Sequence, residues 1–148
     1  MALGDWIQIG GQTWNVRVLT VTQDANVLYT ENTGRTVAKD APITLDALGT
    51  FINYKLDIAP LKGYEKDYDA LYDFVIIPRN YGIKVKMPYN QSTIEYDAYI
   101  SSASRKIKII NEKNPTTDIF GNEIKVKWEK MSITCIPIKA QISTETGA

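Results

Sequence analysis

The sequence predicts a mainly β protein: an antiparallel β-sandwich or split barrel with one short flanking α-helix. Three observations carry this. Apolar and polar residues alternate at period two along most of the chain, which puts the apolar ones on one face of a strand. Turn-forming residues punctuate these runs, and a single stretch has helical spacing. Helices do not alternate with strands, which argues against a parallel sheet. With 148 residues, 44% hydrophobic and 23% charged, one domain with a sizeable core is expected. The expected organisation is a β-rich domain over 1–142, with a long loop at 24–46 and a hairpin loop at 111–122. A flexible C-terminal tail follows at 143–148.

The elements follow in order. Trp6-Ile7-Gln8-Ile9 is a short strand, and Gly10-Gly11 supplies the permissive backbone of a tight hairpin. Trp14, Val16 and Val18 alternate with Asn15 and Arg17 in a strand reaching about Val21. The stretch 24–46 holds Glu31-Asn32-Thr33-Gly34-Arg35-Thr36 and is long for a connection inside a compact domain. Ile52, Tyr54, Leu56 and Ile58 share one strand face. The helix is expected at about 65–77, where Tyr64, Tyr68, Leu71, Tyr72 and Val75 form a stripe. Gly63 precedes it, Glu65 and Asp67 complement its dipole, and Pro78 stops it. Further strands are marked by Ile83, Val85 and Met87, by Ile94, Tyr96, Ala98 and Ile100, and by Ile107 and Ile109. In the last strand Ile124, Val126 and Trp128 give way after Lys130 to Met131, Ile133 and Cys135, a phase slip that predicts a bulge.

Composition removes several chemistries. Without His there is no His-based triad, general base or metal site. The single Cys135 sits in an apolar strand with no activating base, so a buried structural thiol is expected. The pairs Asp67/Asp69, Asp69/Asp73 and Glu95/Asp97 lie opposite apolar stripes and read as solvated faces. No phosphate-loop or dinucleotide motif occurs. No catalytic residue, cofactor or metal is therefore expected, and the chain is not expected to be an enzyme. The formal charge of zero gives no global pull toward nucleic acid or membrane. No apolar run spans a bilayer, and Met1–Asp5 lacks the basic start of a secretory signal. Locally the charges separate. Arg105 to Lys130 is basic, whereas Asp40 to Asp73 has seven acids against Lys55, Lys62 and Lys66, a bias that suits head-to-tail self-association.

An ordered set of segments adds a resemblance. They are Ile9-Gly10-Gly11 with Trp14-Asn15-Val16, Glu31-Asn32-Thr33-Gly34-Arg35-Thr36, Gly49-Thr50-Phe51-Ile52-Asn53-Tyr54 and Tyr68-Asp69-Ala70-Leu71-Tyr72. Met87-Pro88-Tyr89-Asn90, Glu95-Tyr96-Asp97-Ala98-Tyr99-Ile100 and the strand around Trp128 complete it. Over most of residues 6–140 the chain resembles small tail structural proteins of long-tailed, siphovirus-like bacteriophages and prophages, of the tail-tube or distal-tail type. That resemblance implies a virion protein made in the bacterial host cytoplasm. It implies a homo-oligomeric ring, commonly a hexamer, docked to other tail proteins in the distal tail, baseplate or tube. DNA would pass through the lumen without specific binding, and no membrane is involved. Asn32, Gly34 and Arg35 are the candidate loop contacts, with Ile119 and Phe120 as a second apolar contact. The alternatives are a carbohydrate-binding module of the tail tip, suggested by nine Tyr, and, below it, a head–tail connector or tail terminator subunit.

Overall fold

The computed structural model describes residues 6–29, 34–35, 43–44 and 47–143. The chain is mainly β, with one short helix. Its strands are β1 (Gln8–Ile9), β2 (Val16–Tyr29), β3 (Gly34–Arg35), β4 (Ile43–Thr44) and β5 (Ala47–Pro60) before the helix α1 (Glu65–Val75). After it come β6 (Ile83–Tyr89), β7 (Ser92–Ile110), β8 (Thr116–Thr117), β9 (Glu123–Ile124) and β10 (Val126–Pro137). Six of these form one antiparallel sheet in the order β1-β6-β7-β10-β5-β2, while β3–β4 and β8–β9 are separate small ribbons.

The sheet order has a geometric consequence. The first two strands, β1 and β2, are neighbours in sequence yet stand at opposite edges. Residues 10–15 join them and reach at most about 20 Å when extended. The sheet must therefore curl, giving a sandwich-like form that is not closed into a barrel. Tyr54 on β5 shows the curl directly, because its hydroxyl donates to the Pro88 carbonyl on β6 at 2.9 Å. The Tyr96 ring of β7 lies 6.1 Å from the Tyr54 ring.

Period-two alternation builds the concave face. In register, Met131 faces Ile58, Ile133 faces Leu56 and Cys135 faces Tyr54. All six are buried, and so are Val85, Met87 and Ala98 of the neighbouring strands. The helix lays Tyr68, Leu71 and Val75 onto this face. Each fully buried side chain of this size contributes roughly 1.5–3 kcal/mol, so this stripe dominates stability. On the opposite face Asp57 accepts from Thr20 and Ser132, each at 2.7 Å, tying β2, β5 and β10 together.

Three sequence expectations need correction. The long loop does not begin at residue 24, because Asp24–Tyr29 continue β2 and pair with β5 as far as Ala47. The β2 residues of this ribbon are all exposed, so they lack the apolar alternation that marks a half-buried strand. Gly10 and Gly11 do form a tight turn, with φ of 71° and 77° and an Ile9–Gln12 bridge. The strands they connect nevertheless do not pair with each other; β1 joins β6 instead. The helix ends at Val75 rather than 77, since Pro78 disfavours the helical region for the residue before it. The expected bulge near Lys130 is present as a register shift between Trp128 and Met131.

Candidate assembly interface

The sheet has two unequal edges. The β6 edge is covered by Gln8 and Ile9, by the Gly10 N–H bonded to the Lys84 carbonyl at 2.8 Å, and it contains Pro88. The opposite edge is β2, which among the described residues pairs only with β5. Fourteen residues extend about 48 Å, leaving a long row of unpaired backbone donors and acceptors. Natural edges are blunted by Pro, by Lys or by bulges. Within β2 there is neither Pro nor Lys, and its register shifts fall near the ends, at Val18/Thr20 and Leu28/Tyr29. The central stretch stays regular. At its far end Val27, Leu28, Tyr29 and Leu48 are exposed apolar side chains, Val27 at 58%.

The other end of the sheet carries a different surface. Below the Ile58–Met131 pair β5 and β10 diverge, and residues 126–130 of β10 continue alone beside β7. Arg105 fills the angle between this arm and the helix. Its guanidinium lies 3.7 Å from the Trp128 ring centre and 3.9 Å from that of Tyr72, and it pairs with Asp69 at 2.9 Å. The Tyr68 hydroxyl donates to the Glu129 carbonyl at 2.8 Å, and burial pushes that phenol up to about 12. Ile107, Ile109 and Ile110 stand exposed on the same arm. A cleft of about 630 Å³ lies where the two strands part.

The loop at 111–122 is ordered by one residue. Asp118 is 7% exposed and accepts from the Phe120 N–H, the Asn122 N–H and the Asn122 side-chain amide. Burial raises its affinity for a proton, but these hydrogen bonds and Lys66 outweigh burial and hold the carboxyl below its ordinary range. The Ile119 N–H donates to the Gly63 carbonyl at 3.2 Å, which anchors the loop beside the start of the helix.

The sequence-predicted contact residues fall into two separate groups. Asn32 lies outside the described residues. Gly34 and Arg35 form β3 and pair with Thr44 and Ile43, in the connection that leaves β2 at Tyr29 and returns at Ala47. Ile119 and Phe120 sit beside Gly63, past the other end of β5. They are 58% and 68% exposed, and Phe120 meets the Tyr64 ring edge-on at 5.9 Å. The structure does not join these groups into one patch. Sequence reasoning missed the β2 edge and the Arg105 cluster. The first leaves no pattern in composition, and the second needs residues 36 and 23 positions apart to be seen as neighbours.

Cys135 is fully buried, and burial pushes its thiol up to about 12. Among the described residues no group of three or more Cys, Asp and Glu side chains is placed to hold a metal ion. Likewise, among them no helix is long and apolar enough to cross a membrane. The exposed Tyr81 and Tyr99 line separate clefts rather than one aromatic platform. In comparisons with known proteins the chain matches no family model and no curated protein.

Proposed function

We propose that this chain is a structural subunit of a bacteriophage tail, acting by self-assembly into a ring and by docking to neighbouring tail proteins. The single observation supporting this most is the β2 edge, long, regular and ending in an exposed apolar cluster. A single copy in water leaves this edge and cluster unsatisfied. A second copy can satisfy both through strand addition and apolar burial. In this proposal the β2 edge of one copy meets a different surface of the next, a heterologous contact, and a heterologous contact that closes gives a ring. Six copies, a lumen passing DNA and a place in the distal tail, baseplate or tube belong to this proposal.

The test is the mass of the purified protein by multi-angle light scattering, beside a Val27→Lys/Leu28→Lys variant. Both side chains are exposed, so the variant should melt like the wild type. The wild type is expected as a discrete oligomer and the variant as a monomer. A wild type that stays monomeric at about millimolar concentration, or a variant that assembles equally well, overturns the proposal.

A further inference from the structure

The cleft between the diverging ends of β5 and β10 lies beside the start of β2, away from the apolar tip at Val27 to Tyr29, and its chemistry is different. Five cations line it: Arg17, Lys62, Lys108, Lys127 and Lys130. Lys130 is held by Asp57 at 3.8 Å. The remaining four have no carboxylate within ion-pair distance among the described residues. Three acids share the walls: Asp69 is already paired with Arg105, which leaves Glu65 and Glu129 against these four cations. The cleft is therefore electropositive in a chain whose formal charge is zero.

A further feature sorts the possible occupants. The cleft wall includes Val126, Lys127 and Trp128 of β10, which among the described residues pair with β7 on one side only. An extended peptide supplies backbone donors and acceptors to this open strand, and its carboxylates can meet the lysines, whereas the phosphate backbone of a nucleic acid supplies acceptors alone.

We infer that this cleft binds an extended acidic peptide segment of another protein, added as a strand alongside Val126, Lys127 and Trp128. The segment alternates carboxylates, which face Lys62, Lys108 and Lys127, with small side chains that pack toward Trp128. That ring is fixed by the Arg105 guanidinium on its face, so the floor of the cleft is rigid before binding. A second copy of this chain is the weaker match. The free β2 strand carries one acid, Asp24, against Arg17.

The experiment is fluorescence anisotropy of a labelled peptide of alternating Glu and Thr, blocked at both ends. Controls are an alternating Lys and Thr peptide and a single-stranded oligothymidylate. The expected results are saturable binding of the acidic peptide and at least about tenfold weakening in Lys62→Glu/Lys127→Glu. Both lysines are exposed, so this variant keeps the fold, which a thermal melt verifies. Slowed amide exchange at residues 126–128 on adding peptide is expected as well, and bulk charge attraction alone would not produce it. Three results overturn the inference. They are absent binding, tighter binding of the oligonucleotide than of the peptide, and an unchanged affinity in the double variant. Self-association lost in the double variant without peptide would instead assign the cleft to a second copy. These readouts do not depend on ring formation and can be repeated in Val27→Lys/Leu28→Lys.

Discussion

Replacing Arg105 by Ala tests whether the helix is fastened to the sheet by a cation stacked between aromatic rings. The Arg105 side chain is 15% exposed, and its guanidinium lies under 4 Å from two ring centres, those of Trp128 and Tyr72. A largely desolvated cation–π contact contributes about 2 kcal/mol, a more open one about 0.5–1 kcal/mol. The partner carboxylate of Asp69 is 42% exposed, so solvent screening leaves the ion pair about 0.5 kcal/mol. Together these give a loss of about 3 kcal/mol. For a chain of this length that corresponds to about 6–12 °C in Tm. Urea unfolding followed by far-UV circular dichroism provides the midpoint and slope together, and an unchanged slope shows that stability alone has moved. Arg105→Lys keeps the charge but not the planar stack, so about half the loss should remain. Asp69→Asn alone should cost well under about 1 kcal/mol. If Arg105→Lys matches the wild type, or Arg105→Ala costs less than about 1 kcal/mol, the stacking account is wrong and the arginine is a surface ion pair.

Two further expectations follow from the geometry. Asp57 is held below its ordinary 3.8 by hydrogen bonds from Ser132 and Thr20, with Lys130 and Lys55 adding to them against a smaller burial effect. A carboxyl depressed on folding stabilises above its unfolded value and loses that contribution as pH falls through the folded one. Urea midpoints at about pH 7 and about pH 3 should therefore fall less in Asp57→Asn than in the wild type, and equal falls would refute the assignment. Gly63 has φ of +90°, and a Cβ there would lie 2.6 Å from Ile119 Cγ2. Gly63→Ala should cost about 1–2 kcal/mol for the backbone alone, plus the clash. Adding Ile119→Ala should recover the clash and leave the backbone cost, as a denaturation cycle would read.

The parts of the fold legible in the sequence are those that cover the core. Ile52 to Ile58, Ile83 to Met87 and the Tyr68–Leu71–Val75 stripe all lie where alternation or helical spacing places them, because burial on one face imposes a period. The slip after Lys130 was visible for the same reason: a bulge moves the apolar set to the other parity. Strand order was not legible. Nothing in Gly10-Gly11 reveals that β1 crosses to β6 instead of folding back on β2, since the turn conformation is the same in both cases. Arg105 was equally hidden, because a cation in a basic strand looks solvated until the helix is docked over it.

The segment that escaped the sequence is also the one that bears most on function. Residues 24–29 are all exposed and carry no core-facing alternation, yet they pair with β5 along the segment, with one register shift between Leu28 and Tyr29. Two-stranded ribbons are marginal in water by themselves, and their cost grows with each ordered residue. Here the ribbon also ends in four exposed apolar side chains, Val27, Leu28, Tyr29 and Leu48, where a solvated hairpin would favour polar ones. A covering surface would lower the free energy of both the open edge and the apolar tip in one contact. Hydrogen exchange of β2 separates the two possibilities. Amides along the outer edge should be protected in the assembled protein and exchange freely in Val27→Lys/Leu28→Lys, while those bonded to β5 stay protected in both. Equal exchange along both edges in the wild type would mean that the strand stands open to water and that its apolar tip serves some other contact.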